Sequence, residues 1–340
     1  MQQLTLVKRG ALEWRETETP RITGANQALV RPLAVARCDL DIPIALGQSL
    51  FRPPFALGHE FVGEITALSE DLADTFKVGA HVAVAFQVAC GTCAECGRGH
   101  SNSCATLPGL HDYGMGPGGK TFGGALADSV HVPYARHMLL PLPDGTDLVA
   151  VASLSDNIVE AWKLAGFQLE KEPGTPVLIM GGFASSIGLY TAALARAMGS
   201  PVTYVDTDKN RLTVAESFGA DIHEVKEIPK AWEKRFPLVA ECSGVPEGFR
   251  FCLKSVAPFG TVTAASIYWT NDFAIPYLEL YNIGAVIRIG RVDSREMMPK
   301  VLHYIQNGSF AAGKIVSQVA SWSEAKDAWL EHGTKLVVKR

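Results

Sequence analysis

The sequence has no run of basic residues and few charges of either sign. Lysine and arginine number 31 against 35 aspartates and glutamates, a net charge of −4, and charged residues make up 19% of the 340-residue chain. Without a basic patch, neither nucleic acid nor an anionic membrane surface is an expected partner. The apolar fraction of 47% excludes extensive disorder and is typical of a globular protein.

Long hydrophobic segments are also lacking. Residues 1–10 contain no apolar stretch of the kind that a signal peptide needs. The stretch between Glu172 and Arg196 has no charged side chain, but the turn-forming residues Gly181–Ser186 interrupt it. This pattern indicates a strand followed by a helix rather than a membrane span, and a cytoplasmic location is therefore expected.

The seven cysteines are an odd number, which argues against a disulfide framework. Four of them fall within fifteen residues, with the spacing Cys90-x2-Cys93-x2-Cys96-x7-Cys104. Two-residue gaps let neighbouring thiolates converge on one ion, and four sulfurs complete a closed tetrahedron around zinc. The pattern predicts a structural zinc lobe at 90–104, although spacing alone leaves iron–sulfur ligation and free thiols open.

Two domains are expected from the length of the chain. Residues from Val30 to about Val151 form short β-type segments broken by glycine and proline, whereas strand and helix patterns alternate after Ser153. The patterns predict helices at 157–167 and 187–198, and a further strand at 315–319 nearer the end of the chain. The alternation after Ser153 predicts an α/β fold with a doubly wound parallel sheet. We predict a β-rich domain of residues 1–153 and 291–340 and a nucleotide-binding domain of residues 154–290.

A second group of metal-ligand types is spread along the chain. Cys38 is followed 21 residues later by His59 and Glu60, and Asp156 stands where the α/β region begins. A thiolate, an imidazole and a carboxylate leave one coordination position open, as in catalytic zinc sites. Taken singly, each residue also has an ordinary explanation: a core cysteine, a hydrogen-bonded histidine, a helix-capping aspartate.

Four features stand in a familiar order: Cys38-x2-Asp41, the Gly58–Glu60 segment, the four-cysteine lobe and the following nucleotide-binding segment. In order and spacing, over essentially the whole chain, they resemble the zinc-dependent medium-chain dehydrogenase/reductase (alcohol dehydrogenase) superfamily. The resemblance implies a GroES-like catalytic domain, a Rossmann coenzyme domain, and a homodimer or homotetramer. The apolar segment Ala285–Ile289 would continue a sheet across a dimer.

The resemblance also assigns roles around the open metal site. Cys38 and His59 match the catalytic zinc ligands, and Glu60 matches the carboxylate that approaches the metal. Asp41 matches the acid that holds the imidazole of the ligand histidine. Asp156 falls at the third-ligand position, where an aspartate is similar to the secondary-alcohol branch of the superfamily.

Two positions near this site depart from the superfamily pattern. Two residues after Cys38, members usually carry a serine or threonine that receives the substrate proton, but here Leu40 has no hydroxyl. Asp39, Glu60 and Glu160 are candidates to replace it. Glu160 itself stands where members often have threonine.

The candidate cofactor segment follows a four-residue apolar run, Val177–Met180. A glycine turn between a parallel strand and a helix places backbone N–H groups against a pyrophosphate. Phe183 replaces the second glycine of the usual G-x-G-x-x-G pattern, so the motif alone is weak. The predicted phosphate-binding residues are Gly181, Gly182, Ser185, Ser186, Ile187 and Gly188.

Asp206, eighteen residues after Gly188, ends the next strand. A carboxylate there hydrogen-bonds the adenosine ribose hydroxyls and favours NAD over NADP, although Lys209 and Arg211 are cations that accept a 2′-phosphate. By resemblance, Lys335 neutralises the pyrophosphate. Strand-end residues predicted to line the cofactor cleft are Ser243, Ala265, Ser266, Ile289 and Gly290.

These observations predict an oxidoreductase with two zinc ions per chain. It would transfer a hydride between an alcohol, preferably a secondary one, or the matching ketone or aldehyde, and NAD(H). A polyol or sugar dehydrogenase on the same scaffold is the alternative. A third reading, a non-catalytic zinc- and nucleotide-binding protein, is supported only by Leu40 and the irregular glycine turn.

Overall fold

Short strands dominate the first 150 residues of the computed structural model, which describes residues 1–107 and 109–340. The strands are β1 (Gln2–Lys8), β2 (Ala11–Glu16), β3 (Ala28–Ala36), β4 (Phe55–Ala56), β5 (Glu60–Leu68), β6 (His81–Val84), β7 (Val130–Val132) and β8 (Leu139–Pro141). The α-helices between them are short: α1 (Asp41–Ala45), α2 (Ala94–Gly97), α3 (Gly116–Thr121) and α4 (Ala135–Met138). In β3, buried and less buried residues alternate, as expected for strands with one face on a core.

Strands and helices alternate in the next section of the chain. It opens with α5 (Asn157–Ala161), a π-helical segment (Trp162–Gly166) and α6 (Phe167–Lys171). There follow β9 (Val177–Met180), α7 (Ser185–Ala197), β10 (Val202–Asp206), α8 (Lys209–Glu216), β11 (Asp221–Glu224), β12 (Phe236–Glu241), α9 (Pro246–Ser255), β13 (Val256–Ala264), α10 (Tyr277–Ile283) and β14 (Val286–Arg288). The chain ends with α11 (Ser294–Gln306), β15 (Gln318–Ser321), α12 (Ala325–Ala328) and β16 (Leu336–Lys339).

The β-rich section forms two sheets. The larger has seven strands in the order β15-β16-β3-β5-β6-β8, with β7 paired to β3, and the smaller has the order β2-β1-β4. The end of the chain therefore returns to the first section, since Val337 of β16 stands opposite Ala36 of β3. This return brings residues near 335 to the end of β3, just before Cys38.

The alternating section forms one sheet of six parallel strands, in the order β11-β10-β9-β12-β13-β14. Numbered from β9, this is the order 3-2-1-4-5-6 of a doubly wound dinucleotide-binding sheet. Successive strands are added on one side of β9 and then, from β12 onwards, on its other side. All four residues of β9 are buried, as a strand covered on both faces requires. The predicted α/β fold class is confirmed.

The chain divides into two compact units. The first comprises Met1–Asp156, Asp293–Leu302 and Val316–Arg340, and the second comprises Asn157–Val292 and His303–Ile315. The second unit also takes in residues 303–315, which the sequence analysis placed in the β-rich domain; the predicted domain boundaries stay a prediction. No helix in the described part of the chain combines the length and hydropathy that a membrane span requires.

Two candidate metal centres and a candidate nucleotide site

The sulfurs of Cys90, Cys93, Cys96 and Cys104 meet within 4.8 Å of one another. Helix α2 and the turns around it carry them in a loop that needs glycine at one point. Gly91 has φ +75°, and a Cβ atom there would lie 2.7 Å from the His137 side chain. The loop therefore folds back tightly enough to bring four sulfurs together.

Hydrogen bonds to sulfur favour thiolates in this lobe. The Cys90 sulfur accepts from the Thr106 hydroxyl at 3.2 Å and from the backbone N–H groups of Thr92 and Cys93 at 3.4 and 3.3 Å. Burial opposes ionisation of Cys90, but these hydrogen bonds outweigh it and lower the pKa of the thiol to about 5. Four sulfur donors with no other ligand type fit a closed structural zinc.

A second donor cluster, all of it buried, comprises Cys38, His59, Glu60 and Asp156, with one ligand atom from each within 4.8 Å of the others. Strand pairing explains the meeting of the first three. Ala36 of β3 stands opposite Glu60 of β5, so the residues after Ala36 and before Glu60 lie at the same end of the sheet. Asp156 completes the group, and its Oδ2 atom lies 3.2 Å from His59 Nε2.

Asp41 lies behind this cluster, on the other side of the His59 ring. Its Oδ2 accepts the Cys38 backbone N–H at 2.9 Å, and its Oδ1 lies 3.7 Å from His59 Nδ1. Burial opposes protonation of His59, but Asp41 and Asp156 outweigh it and raise the pKa of the imidazole to about 9. A buried site that draws a proton onto its only imidazole is rich in negative charge, and this donor set suits a divalent cation.

Lys335 is fully buried beside the same cluster. Its Nζ atom lies 3.1 Å from Glu60 Oε2 and donates to the Arg37 carbonyl at 2.9 Å. Burial raises the pKa of Glu60 to about 7 against the opposing effect of the Lys335 ammonium. No sequence pattern indicates this ion pair. The role of Lys335 at the pyrophosphate, which the family resemblance implies, stays a prediction.

Arg37 is a structural neighbour of the cluster that no sequence pattern indicates. Its buried guanidinium donates to the carbonyls of Trp329 at 2.9 Å and Gly333 at 3.2 Å, beyond α12. It ties the C-terminal return to the residue before Cys38. A cysteine-flanking arginine carries no motif in sequence, so only the structure reveals this tie.

In the second unit, the turn between β9 and α7 requires its first two glycines. A Cβ atom on Gly181 would lie 2.2 Å from Asp206 Oδ2, and one on Gly182, whose φ is +152°, would lie 2.7 Å from Ser243 Cα. The N–H of Phe183 donates to the Ser243 carbonyl at 3.0 Å. The turn is thus pressed between the ends of β10 and β12, although it lacks the usual three-glycine pattern.

The helix that follows the turn begins at Ser185, two residues earlier than expected. Ser185, Ser186 and Ile187 therefore form its first turn, where backbone N–H groups suit a phosphate. The buried Ser186 hydroxyl accepts a hydrogen bond from Asn157 Nδ2 at 2.8 Å. Gly188 lies one turn inside the helix, and a Cβ atom there would approach the Tyr204 hydroxyl to 3.1 Å.

Asp206 and Arg211, predicted as separate cofactor contacts, bind each other. Arg211 Nε donates to Asp206 Oδ2 at 2.8 Å and Nη2 donates to Oδ1 at 2.6 Å, while the Asp206 side chain is fully buried. Asp208 caps helix α8 by accepting the Arg211 backbone N–H at 3.0 Å, which sets the arginine close to β10. The position predicted to recognise the ribose is therefore a two-point ion pair instead of a lone carboxylate.

The strand ends predicted to line the cofactor cleft are also fixed by side chains. Glu241, the last residue of β12, accepts from the Ser243 N–H at 2.7 Å and hydroxyl at 2.6 Å. The Gly244 N–H donates to the Ser266 hydroxyl at 2.9 Å, which joins the ends of β12 and β13. Glu241 is another residue that the sequence analysis did not single out.

Fold and site together define a class of protein: a two-unit chain with a doubly wound parallel sheet and two four-donor clusters suited to metal ions. Residues 24–144 match the family model described as alcohol dehydrogenase GroES-like domain, and residues 186–307 match that of zinc-binding dehydrogenase. The chain belongs to the zinc-dependent medium-chain dehydrogenase/reductase superfamily. The predicted superfamily, GroES-like fold and Rossmann fold are thus confirmed.

Individual dehydrogenases are also similar to this chain in sequence or in structure. The chain is 36% identical to L-galactonate-5-dehydrogenase of Escherichia coli over 203 residues, which is 59% of this chain and only 54% of that protein. It is 28% identical to L-threonine 3-dehydrogenase of Pseudoalteromonas atlantica, covering 89% of this chain and 88% of that one. The alcohol dehydrogenase of Thermus sp. ATN1 superposes with a TM-score of 0.88 at 26% identity, with 100% and 99% coverage.

Proposed function

We propose that this chain is a zinc- and NAD-dependent dehydrogenase that transfers a hydride between a small secondary alcohol and its ketone. One observation carries the proposal: Cys38, His59, Glu60 and Asp156 converge, buried, on a single point. Residues of this cluster would hold a zinc ion, whose chemistry would be to polarise an alcohol or carbonyl oxygen, and a bound nicotinamide would be the partner in the hydride transfer. Superfamily membership supports this assignment of the two donor clusters to a catalytic and a structural zinc.

The chain's own residues then have distinct tasks at the catalytic cluster. Cys38, His59 and Asp156 would hold the metal. Asp41, on the Nδ1 side of His59, fixes the ring so that its Nε2 atom faces the other donors. Lys335 keeps Glu60 paired within reach of the cluster, so that the carboxylate remains an alternative ligand rather than a permanent one.

We infer NAD rather than NADP as the cofactor. Asp206 ends β10 beneath Gly181, in position to accept the adenosine ribose hydroxyls. Arg211 neutralises this carboxylate and donates to both Asp206 oxygens. In this paired state the guanidinium is not available to a 2′-phosphate. The predicted phosphate contacts at residues 181–188 complete the proposed site.

A polyol or sugar acid is the second candidate substrate class. The relative with 36% identity is named for L-galactonate, a polyhydroxylated acid. The metal ligands would be unchanged, and only the residues that contact the remainder of the substrate would differ. A panel of secondary alcohols and polyols, assayed with NAD, distinguishes the two classes directly.

We also propose a homodimer, with a homotetramer as the alternative, in the cytoplasm. Strand β14 is the last of the six-stranded sheet, and Val286 and Ile289 at this edge are 45% and 73% exposed. An apolar edge strand pairs readily with a second copy of itself. The cytoplasm supplies the reducing conditions that suit a chain whose odd number of cysteines, most of them assigned to metal, argues against a disulfide framework.

The zinc content of the wild type and of Asp156→Asn tests the proposed function. We expect two zinc ions per wild-type chain and NAD-linked oxidation of at least one alcohol. The variant should fall towards one zinc and lose about a hundredfold or more of kcat/KM, because a neutral amide is a poor zinc ligand. The exposed Asp144→Asn serves as the matched control and should change neither quantity.

Two other outcomes would revise the proposal. Two zinc ions and full activity in Asp156→Asn would remove Asp156 from the ligand set. One zinc in the wild type, with no activity on any alcohol or polyol, would favour a non-catalytic zinc- and nucleotide-binding protein.

A further inference from the structure

Lys163 lies in the π-helical segment Trp162–Gly166, within an otherwise α-helical run. Such π-helical turns are rare and frequently occur at functional sites, because they redirect side chains and release backbone carbonyls from the helix. The Lys163 side chain is only 15% exposed, although a lysine on a helix surface normally extends into solvent. Its burial therefore calls for specific partners.

Three acceptors surround the Lys163 ammonium. Its Nζ atom lies 2.7 Å from the Gly290 carbonyl, 3.3 Å from the Ala264 carbonyl and 2.6 Å from Glu160 Oε2. One ammonium thus donates hydrogen bonds to the carbonyls of two separate backbone segments and forms an ion pair with one carboxylate. Because Glu160 supplies the counter-charge, the buried cation is neutralised locally.

A second tie runs between the same elements. The Thr263 hydroxyl of β13 donates to the Leu164 carbonyl, inside the π-helical segment, at 2.9 Å. Thr263 and Ala264 are the last two residues of β13, and Gly290 follows the end of β14. The π-helical segment is thereby fastened to the carboxyl ends of the last two strands of the sheet.

Those strand ends belong to one half of the proposed dinucleotide site. The glycine turn after β9 and the acid that ends β10 place the adenosine half of the cofactor on β9–β11. A doubly wound sheet of this order binds the second nucleotide on its other half, here β12–β14, at the carboxyl ends of the strands. Lys163 therefore fixes backbone that faces the nicotinamide half and makes no tie to the strands of the adenosine half.

We propose that Lys163, with Glu160 as its counter-ion, is a positioning residue for the nicotinamide ring. The inference rests on the proposed function and extends it. By clamping the Ala264 and Gly290 carbonyls, the ammonium holds the ends of β13 and β14 in the arrangement that receives the nicotinamide nucleotide. Loss of the clamp costs affinity for that half of the cofactor only.

Calorimetric titrations of Lys163→Met with NADH and with ADP-ribose test this directly. ADP-ribose carries the adenosine, the pyrophosphate and a ribose but no nicotinamide. We expect the Kd for NADH to rise about tenfold or more, while the Kd for ADP-ribose stays within about twofold of the wild type. In turnover assays, kcat should fall as well, because a loosely held ring is rarely aligned for hydride transfer. Zinc content should be unchanged.

Lys171→Met is the matched control, since Lys171 is exposed at the end of the same helical run and its loss should leave both Kd values unchanged. If Lys163→Met fails to fold, Lys163→Arg keeps the cation but changes the length and shape of the donor. It should raise the Kd for NADH less than Lys163→Met would, by about threefold, and still spare ADP-ribose.

An equal loss of NADH and ADP-ribose affinity in the variant would overturn the inference, because it would show general damage to the unit. Unchanged NADH affinity and kcat would overturn it as well. A wild-type chain that binds neither NADH nor ADP-ribose would overturn the proposed function and the inference together, so the two failures are distinguishable.

Discussion

At the scale of single residues, a buried carboxylate and a guanidinium meet under the glycine turn. Asp206 is fully buried and held at both oxygens by Arg211. Removing one partner of such a pair leaves the other without its counter-charge. In the proposed NAD site, the paired Asp206 would accept the ribose hydroxyls, and Arg211 would attract a 2′-phosphate only once released from the pair.

Asp206→Ala should shift cofactor preference towards NADP. The substitution removes the acceptor of the ribose hydroxyls and releases Arg211 as an anion-binding group. We expect the ratio of kcat/KM for NAD to that for NADP to fall about tenfold or more, measured with one alcohol at saturation. Lys171→Ala, at an exposed lysine that ends α6, is the control. A ratio that stays constant in Asp206→Ala would place the ribose elsewhere.

A second residue-scale prediction concerns His59 in the metal-free chain. The pKa of His59 is about 9 against an ordinary 6.5, since Asp41 and Asp156 outweigh the effect of burial. Because the pKa of His59 is raised in the folded state, protonation stabilises the folded chain. This contribution to the free energy of unfolding is complete below pH 6.5 and disappears as the pH rises through 9. The shift corresponds to at most about 3 kcal/mol.

Urea unfolding of zinc-free wild type and His59→Asn at pH 6 and pH 10 measures this contribution. The wild type should lose roughly 1–3 kcal/mol more than the variant between the two pH values. The Cys90 thiol, with its pKa lowered to about 5, acts in the opposite direction but is common to both chains and cancels. Parallel pH profiles for the two chains would show that His59 is not held protonated.

At the scale of elements, the turn between β9 and α7 depends on close contact with neighbouring strand ends. Gly182→Ala would place a methyl group 2.7 Å from Ser243 Cα, where backbone has to move. We expect a loss of about 2 kcal/mol in the free energy of unfolding and a weaker affinity for NADH. Gly97→Ala, where a Cβ atom meets nothing within 4 Å, is the control. Wild-type NADH affinity in Gly182→Ala would mean that the turn does not hold the cofactor.

Periodicity and turn residues were sufficient to predict most elements of the second unit. The apolar run at 177–180, the helix after it and the strand ending at Asp206 all occur, because local pattern and buried position agree there. The helix expected at 157–167 extends to Lys171 and contains a π-helical segment. The π-helical segment is held by contacts of Lys163 and Leu164 with β13, which is distant in sequence, so these contacts leave no periodic signal.

The C-terminal region shows the same limit. A strand was expected at 315–319, but a 3-10 helix occupies Ala312–Ile315 and the strand is Gln318–Ser321. The strand register is decided by pairing with β16, where Gln318 stands opposite Leu336. For the site, donor types, spacing and the family resemblance together predicted both donor clusters, whereas the Lys335–Glu60 and Arg211–Asp206 pairs arise only when distant side chains meet.

At the scale of the whole molecule, one edge of the parallel sheet is suited to pairing with a second copy. Strand β14 has a partner only on its β13 side among the described strands, and its Val286 is 45% exposed. Helix α10, which leads into it, exposes Tyr277, Leu278 and Tyr281 by 68% to 71%. A monomer that presents so many apolar side chains beside a free strand edge would be prone to uncontrolled association, and a closed twofold pairing of β14 with itself removes that liability.

Val286→Glu should therefore convert the proposed dimer to a monomer, or a tetramer to a smaller species. Two glutamates brought together across a twofold axis repel each other, and each loses water on pairing. Light scattering with size-exclusion chromatography gives the mass of each species. Val78→Glu, at a 62% exposed valine of the first unit, adds the same charge elsewhere and should leave the mass unchanged. A Val286→Glu chain with the wild-type mass would exclude β14 as the interface, whereas a monomeric wild type would exclude the dimer itself.

The same substitution should also affect cofactor binding. Strand β14 ends three residues before Arg291, next to Gly290, whose carbonyl accepts from Lys163. Monomerisation should therefore weaken NADH binding more than ADP-ribose binding.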